Sequence, residues 1–338
     1  MKKLSIIVPT YNRSSCLKDC IKSIIISAKN FQERVEIIVS DHASSDNTEK
    51  VINEIISTHK TIIYIKRKKN EFTDIHFTKI IEEVSTEFFW MIGDDDKIEP
   101  DAIKKIFKHI DDGQNLIYCN YSIWSKDFSM LVNKNGLGCN KTIYFADHNK
   151  VLEKIAFNMA YISCVVGKKD HFVSMPDTER ETYFGFTTPH VFPLFSAQIN
   201  NCHAVLLADT VVMNRSGNNK EETFEGIHGS SWHEIYVKGS STIFSALQKK
   251  GYLSASVRKA NIKVIVDYLI PQTIELKVNK YNQKGSVKFL WKYYKSYPLF
   301  YFVIVPILLC PFSILNLFKS RVKKIPRMIK WFYGTSLL

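Results

Sequence analysis

Phe88-Phe89-Trp90-Met91-Ile92-Gly93-Asp94-Asp95-Asp96 decides how this chain is read: five apolar residues of strand character run directly into three consecutive carboxylates after a single glycine. A short apolar run that stops at a polar cluster reads as a buried strand opening into a loop. Three carboxylates packed that closely repel one another and lose solvation, so a divalent cation among them is the natural resolution. Oxygen-only ligands suit Mg2+ or Mn2+. In open α/β sheets, ligands bind beyond the carboxyl ends of the strands, where this triplet would lie.

On both sides of that stretch, strand-like apolar runs alternate with helix-length amphipathic segments. Strands are predicted over residues 4–8, 35–39, 62–65, 88–92 and 116–121, with helices over 15–28, 48–57, 75–84 and 101–110 between them. This alternation implies βαβ units in an α/β fold with a doubly wound, mostly parallel sheet flanked by helices. After about Ser122 the rhythm loosens, and helices return over 188–199, 232–249 and 254–270. No GxGxxG follows any strand, which excludes a hydride-transferring dinucleotide enzyme.

Two further strand ends carry polar residues. Ser5-Ile6-Ile7-Val8-Pro9-Thr10-Tyr11-Asn12-Arg13 is a buried strand halted by proline, then residues whose backbone groups can meet a flat nucleobase. Val35 to Val39 delivers Ser40 and Asp41 at its tip, where the Asp41 carboxylate could accept the ring N–H of uracil or thymine. Asp46, with Asn47 and Thr48, reads as a helix N-cap cluster.

Composition bounds the rest. With 45% hydrophobic and 23% charged residues over 338 positions, the chain can bury a large core in one domain, or in one domain plus an appendage. Seven scattered cysteines without a CxxC pair support neither a disulfide framework nor a zinc site. Met1-Lys2-Lys3 precedes an apolar run too short for a signal peptide, so the expected compartment is the cytosol. Of the net charge of +13, twelve positive charges and no negative one fall after residue 275, leaving +1 (13 less 12) on everything before. Within that basic tail, residues 297–318 are uncharged and apolar but interrupted by Pro298, Pro306 and Pro311, with basic flanks on both sides. Basic flanks at both ends favour the same cytoplasmic face, so the expectation is a membrane-associating tail that does not span. Such an apolar block speaks against a nucleic-acid partner.

SIIVPTYNR, VEIIVSDHASSDNT and FFWMIGDDDKIEPDAI, in this order and spacing, resemble the amino-terminal half of glycosyltransferase family 2, over roughly residues 3–120. The resemblance extends to bacterial sugar transferases of O-antigen and capsule assembly, abequosyltransferase-like members among them. It implies the GT-A type of doubly wound sheet, with 1–120 as the nucleotide-sugar half, 121–275 as the acceptor half and 276–338 as the membrane-associating tail. It implies Pro9, Thr10, Tyr11 and Asn12 in the base pocket, Asp41 on the pyrimidine, one of Asp94 and Asp95 on the ribose, and Asp96 with Asp94 at a Mg2+ or Mn2+ ion. The implied partners are a nucleotide-sugar donor, a lipid-linked saccharide acceptor and the cytoplasmic face of the bacterial inner membrane, met peripherally. The chain departs from the family in three places. Gly93 and His42-Ala43 stand where the family often has Asp and Asp-Gly, and Asn70-Glu71-Phe72 with His76 replaces its usual Asn-x-Gly…Asn signature, which makes His76 a nucleotide-binding candidate.

Inverting transfer needs a base on the face opposite the departing diphosphate. The window where the family carries it lacks the usual Glu-Asp pair, and offers His190, Asp177, Glu179 and Glu181. Arg215, after the apolar run Val211 to Met213, suits a diphosphate because a guanidinium pairs two phosphate oxygens at once. His228, Trp232 and His233 are candidates for the acceptor site. The missing pair leaves a non-catalytic scaffold as an alternative. A sugar-phosphate nucleotidyltransferase is a second alternative, although Pro9 to Arg13 lacks the glycines of a phosphate loop.

Overall fold

Every side chain of Leu4–Thr10 (β1) and Val35–Asp41 (β2) is buried, which is why these strands read as unbroken apolar runs and not as alternating ones. The computed structural model describes residues 2–186, 188–216, 234–278 and 286–311. Contacts divide the chain into two units, Met1–His148 with Asn158–Gly229, and Asn149–Phe157 with Ser230–Leu338.

In the first unit, Ser14–Ala28 (α1), Thr48–Thr58 (α2) and Thr73–Glu83 (α3) connect β1, β2, Ile62–Lys66 (β3) and Phe88–Met91 (β4). β1 pairs parallel with both β2 and β4, and β2 pairs parallel with β3. Beneath them Glu36 is buried and compensated by the hydroxyls of Ser5 and Ser85, so its carboxylate ties β1, β2 and the entry to β4 together. Lys97–Ile98 (β5), Ala102–Asp111 (α4), Leu116–Trp124 (β6), Leu131–Asn133 (β7) and Ile143–Phe145 (β8) follow. After His148–Ile155 (α5), which from Asn149 belongs to the second unit, come Val165–Lys168 (β9), Lys169–Val173 (α6), Asp177–Glu181 (α7), Val191–Gln198 (α8) and Ala204–Arg215 (β10).

The sheet runs β3-β2-β1-β4-β9-β6-β10-β5, with β7 beside β6 and β8 beside β10. The expectation of a mostly parallel sheet holds for β1 to β4 and fails beyond them. β9 lies antiparallel between β4 and β6, and β10 pairs parallel with β6 but antiparallel with β5 and β8. The sheet is therefore mixed. Gly167 of β9 is required by packing, since a Cβ there would come within 2.9 Å of the Leu194 side chain on α8.

The second unit is helical, with Ser240–Lys250, Ser254–Val264, Ile270–Val278, Ser286–Tyr294 and Val305–Leu309. Its core joins Val237, Ile265, Leu269, Ile270 and Ile274 to Leu290, Tyr294, Leu299, Phe300, Ile304 and Leu308. The apolar tail expected to stand apart is thus, as far as Leu308, half of this unit's core. One side of it stays outside: Trp291, Tyr301, Phe302 and Leu309 are exposed, Phe302 to 80%. Among the described residues no helix is long and apolar enough to cross a membrane. Residues 312–338, with the basic cluster Lys319 to Lys330, lie outside the described residues.

Candidate active site

The carboxyl ends of β1 and β4 open into a cavity of about 250 Å3. Pro9, Thr10, Tyr11 and Arg13 line it from the first strand end, His42 from the second, Thr73, His76 and Phe77 from α3, Gly93 to Asp96 from the acidic loop, and Tyr161 to Ser163 from the segment before β9.

The three aspartates have different surroundings. Asp94 accepts from the Thr10 hydroxyl at 2.7 Å and from Arg13 Nη1 at 3.0 Å. The same Arg13 nitrogen lies 3.0 Å from Asp95 Oδ2, so one guanidinium bridges two carboxylates. Asp96 is the most enclosed. Its Oδ2 accepts from the Tyr161 and Ser163 hydroxyls at 2.7 and 2.6 Å, and its Oδ1 from Asn214 Nδ2 at 3.2 Å and the Arg215 N–H at 3.4 Å. Burial pushes the Asp94 carboxyl up to about 6, offset in part by Arg13, while burial and the neighbouring Asp95 push Asp96 up to about 7. Gly93, where the family often has Asp, is closely surrounded by the acidic side chains. A Cβ would sit 3.2 Å from Asp95 Oδ1 and 3.3 Å from Asp96 Oδ2.

The aromatic side of the cavity is built from Tyr11, His42, His76 and Phe77. The rings of His42 and His76 stack at 4.1 Å between centroids, and Tyr11 meets His42 edge-on at 6.1 Å. His42 Nε2 accepts from the Glu71 N–H at 2.7 Å, and His76 Nε2 pairs with the Ser40 hydroxyl at 2.9 Å. Burial holds both imidazoles neutral, with His76 lowered to about 3 by burial and by its partner His42.

Other predicted residues sit differently from their expected places. Asp41 is wholly buried, one oxygen accepting from the Ser44 N–H at 2.8 Å and the other from the Tyr64 hydroxyl at 2.7 Å. Asn12, in a left-handed turn at φ 52, braces the β2–α2 loop by accepting from the Ser45 N–H at 2.8 Å. Ala43 holds φ 63, a conformation that explains why the family places glycine there. Asp46 caps α2 as expected, accepting from the Thr48 N–H at 3.0 Å.

None of the four base candidates lines the cavity. His190 has no exposed surface and its Nε2–H meets the Met159 carbonyl at 2.8 Å, while burial lowers its pKa to about 4. Asp177 pairs with the buried Arg180, and Glu179 and Glu181 share its helix α7. Arg215 does not face open space. It donates from Nε to the Asp95 carbonyl at 2.9 Å and from Nη1 to the Lys126 carbonyl at 2.6 Å, clamping the acidic loop from behind. His228, Trp232 and His233 lie outside the described residues. Arg13, His42, Tyr161 and Ser163 join the site without having been expected there. Arg13 and His42 belong to the motifs after β1 and β2, whereas Tyr161 and Ser163 come from the stretch where the sequence shows no rhythm.

Residues 5–168, which carry nearly all of this site, match the sequence profile of glycosyl transferase family 2. They form a family 2 domain. The chain is 26% identical over 203 residues to abequosyltransferase RfbV of Salmonella typhimurium, covering 57% of this chain and 60% of that protein. It is 32% identical over 135 residues to the GalNAc(5)-diNAcBac-PP-undecaprenol beta-1,3-glucosyltransferase of Campylobacter jejuni, covering 38% of this chain and 43% of that one. Each alignment therefore spans less than two thirds of the relative. The fold also resembles S. aureus TarS 1-349, solved in complex with UDP-GlcNAc, with a TM-score of 0.60 at 12% identity over 98% of this chain and 91% of that one. In the family 2 domain, the acidic loop after β4 and the turn after β1 share one cavity.

Proposed function

We propose that this chain transfers a sugar from a nucleoside diphosphate sugar of UDP, dTDP or CDP type to a saccharide acceptor carried on lipid, in the synthesis of a bacterial surface polysaccharide. The observation that carries this reading is the cavity itself, in which a cluster of neutral rings and a cluster of carboxylates border the same space. Ring faces stack on a flat base, and carboxylates hold the cation that a diphosphate requires. Relatives whose names give abequosyl and glucosyl transfer, the latter with an undecaprenol diphosphate carrier, support the class.

The donor set fits a divalent ion. It is oxygen only, and Asp94 and Asp95 already converge on one cation, the Arg13 guanidinium. Among the described residues no three ligating side chains meet at one point, so diphosphate oxygens would complete the shell, as is usual for Mg2+. Asp96 was expected beside Asp94 at the ion, but its oxygens are taken by four donors, so we assign the ion instead to Asp94 and Asp95, with Asp96 behind them. Bound there, it would offset charge on the departing diphosphate. Thr10 orients Asp94, the Tyr161–Ser163–Asn214 donors orient Asp96, and Arg215 fixes the loop that bears all three.

We read the exposed Trp291, Tyr301, Phe302 and Leu309, beside the exposed Lys288, Lys292 and Lys295, as the surface that meets an anionic leaflet on the cytoplasmic side. A non-catalytic scaffold is the second reading, favoured by the enclosure of His190 and the position of α7 outside the cavity. Calorimetric titration with UDP, dTDP and CDP, with and without MnCl2, separates the two. Manganese-dependent affinity for one pyrimidine diphosphate supports the transferase, and absence of affinity for all three supports the scaffold.

A further inference from the structure

The Arg13 side chain occupies the place between Asp94 and Asp95 where a metal ion would sit, and the chain is shaped to put it there. Asn12 turns the backbone at φ 52 directly after β1, and its side chain is pinned to the β2–α2 loop, so the next residue leaves the strand end pointing across to the β4 loop. Arg13 begins α1 without a side-chain cap bond, an awkward residue for that position unless its guanidinium is needed elsewhere. Its Nη1 stands 3.0 Å from an oxygen of each aspartate, and its side chain remains 26% exposed on the cavity side.

We propose that Arg13 is a built-in counterion that competes with the divalent metal for Asp94 and Asp95 and yields its place only when a nucleoside diphosphate enters with the ion. This deepens the donor reading given above and rests on it for the nucleotide, though not for the competition itself. Without nucleotide, a metal ion must displace a covalently tethered cation and gains only two protein carboxylates in return. With nucleotide, the released guanidinium faces the incoming phosphates and can pair two of their oxygens. Metal and donor therefore bind as a couple. The free site stays charge-balanced, and a loose ion does not hold the aspartates in an unproductive arrangement.

The test is Mn2+ binding measured by the EPR signal of free MnCl2, on the full chain, with no turnover involved. Arg13→Gln removes the charge and keeps a polar side chain; Arg13→Lys keeps the charge. The expected result is that R13Q binds Mn2+ alone at least tenfold more tightly than the parent chain, while R13K stays within about threefold of it. The enhancement of Mn2+ affinity by CDP or UDP should shrink in R13Q by a similar factor. If Arg13 is only a structural ion pair, R13Q lowers the melting temperature and leaves Mn2+ affinity unchanged or weaker, which overturns the proposal. If R13Q does not fold, Arg13→Met carries the test: with the charge gone, Mn2+ alone binds at least tenfold more tightly if Arg13 competes, and unchanged Mn2+ affinity overturns the proposal. If no nucleotide binds any variant, the donor reading falls, and the comparison with Mn2+ alone still decides the competition.

Discussion

Phe300 and Phe302 are two residues apart in the same apolar run, one enclosed to 1% exposure in the core of the helical unit and the other 80% exposed. Replacing each by alanine should therefore separate what the run does for folding from what it does at a surface. Phe300→Ala leaves a cavity among Tyr294, Tyr297, Ile304 and their neighbours, and large-to-small changes of this kind cost about 3–5 kcal/mol. That is a large part of the total stability of a unit this size, ~5–15 kcal/mol. Phe302→Ala removes no packing and should stay within about 0.5 kcal/mol. On lipid the order inverts. Burying the Phe302 ring is worth about 1.5–3 kcal/mol at most, so even half of that transfer makes binding to phosphatidylglycerol vesicles several-fold weaker in Phe302→Ala. Hydrogen exchange read by mass spectrometry over residues 234–311 reports the first effect, and vesicle co-sedimentation the second. Equal loss of exchange protection in both variants, or full protection in Phe300→Ala, would refute the division of the run into an inner and an outer side. Full protection in Phe300→Ala would also mean that the run can be cut away after about Ser286 without harm. The structure predicts that such a cut unravels the helical unit.

Three other outcomes are expected. Ala43→Gly relieves a left-handed alanine and should stabilise the chain by about 1 kcal/mol, seen as a higher urea midpoint. Asp96→Asn puts an amide against the Tyr161 and Ser163 hydroxyls and the Asn214 amide, and should cost about 1–3 kcal/mol in thermal unfolding as well as weaken nucleotide binding. His76 and His190 are neutral in the folded chain, lowered to about 3 and about 4, and regain an ordinary value near 6.5 on unfolding. The unfolded chain thus takes up the proton first, so stability is kept above about pH 6.5 and falls on acidification until the folded values are reached. At pH 5 each should cost about 2 kcal/mol, and His190→Gln should flatten its share of the slope in unfolding curves measured from pH 7 to 5.

The parallel half of the sheet was legible because β1, β2 and β4 are buried on both faces, and such strands show themselves as unbroken apolar runs. The acidic loop was legible for the same reason, since Asp94 to Asp96 interrupt such a run. β9 was not legible. It is four residues long, contains glycine, and owes its strand state to neighbours distant in sequence on each side, so no local pattern announces it. Tyr161 and Ser163 reach Asp96 only because β9 carries them there, and their role is invisible for the same reason. The enclosure of Asp41 and His190 depends on hydroxyl and carbonyl partners that sequence spacing does not reveal. The packing of one side of the apolar run after Tyr297 into the helical core was not legible, because mean hydropathy is the same whether a greasy side meets lipid or other helices.

The position of β9 also has a consequence for the chain while it is being made. β4 finds one neighbour, β1, already synthesised, but its other edge waits for Val165–Lys168. At ordinary translation speeds the intervening stretch takes roughly 4–15 s to emerge from the ribosome. Throughout that interval the Phe88–Met91 edge is unpaired and aromatic, the kind of edge that recruits strands from other chains. Yield should therefore depend on how quickly ribosomes cover residues 92–165. Synonymous slow codons placed in that window should send more of the product into aggregates than the same codons placed after β9, although the finished protein is identical.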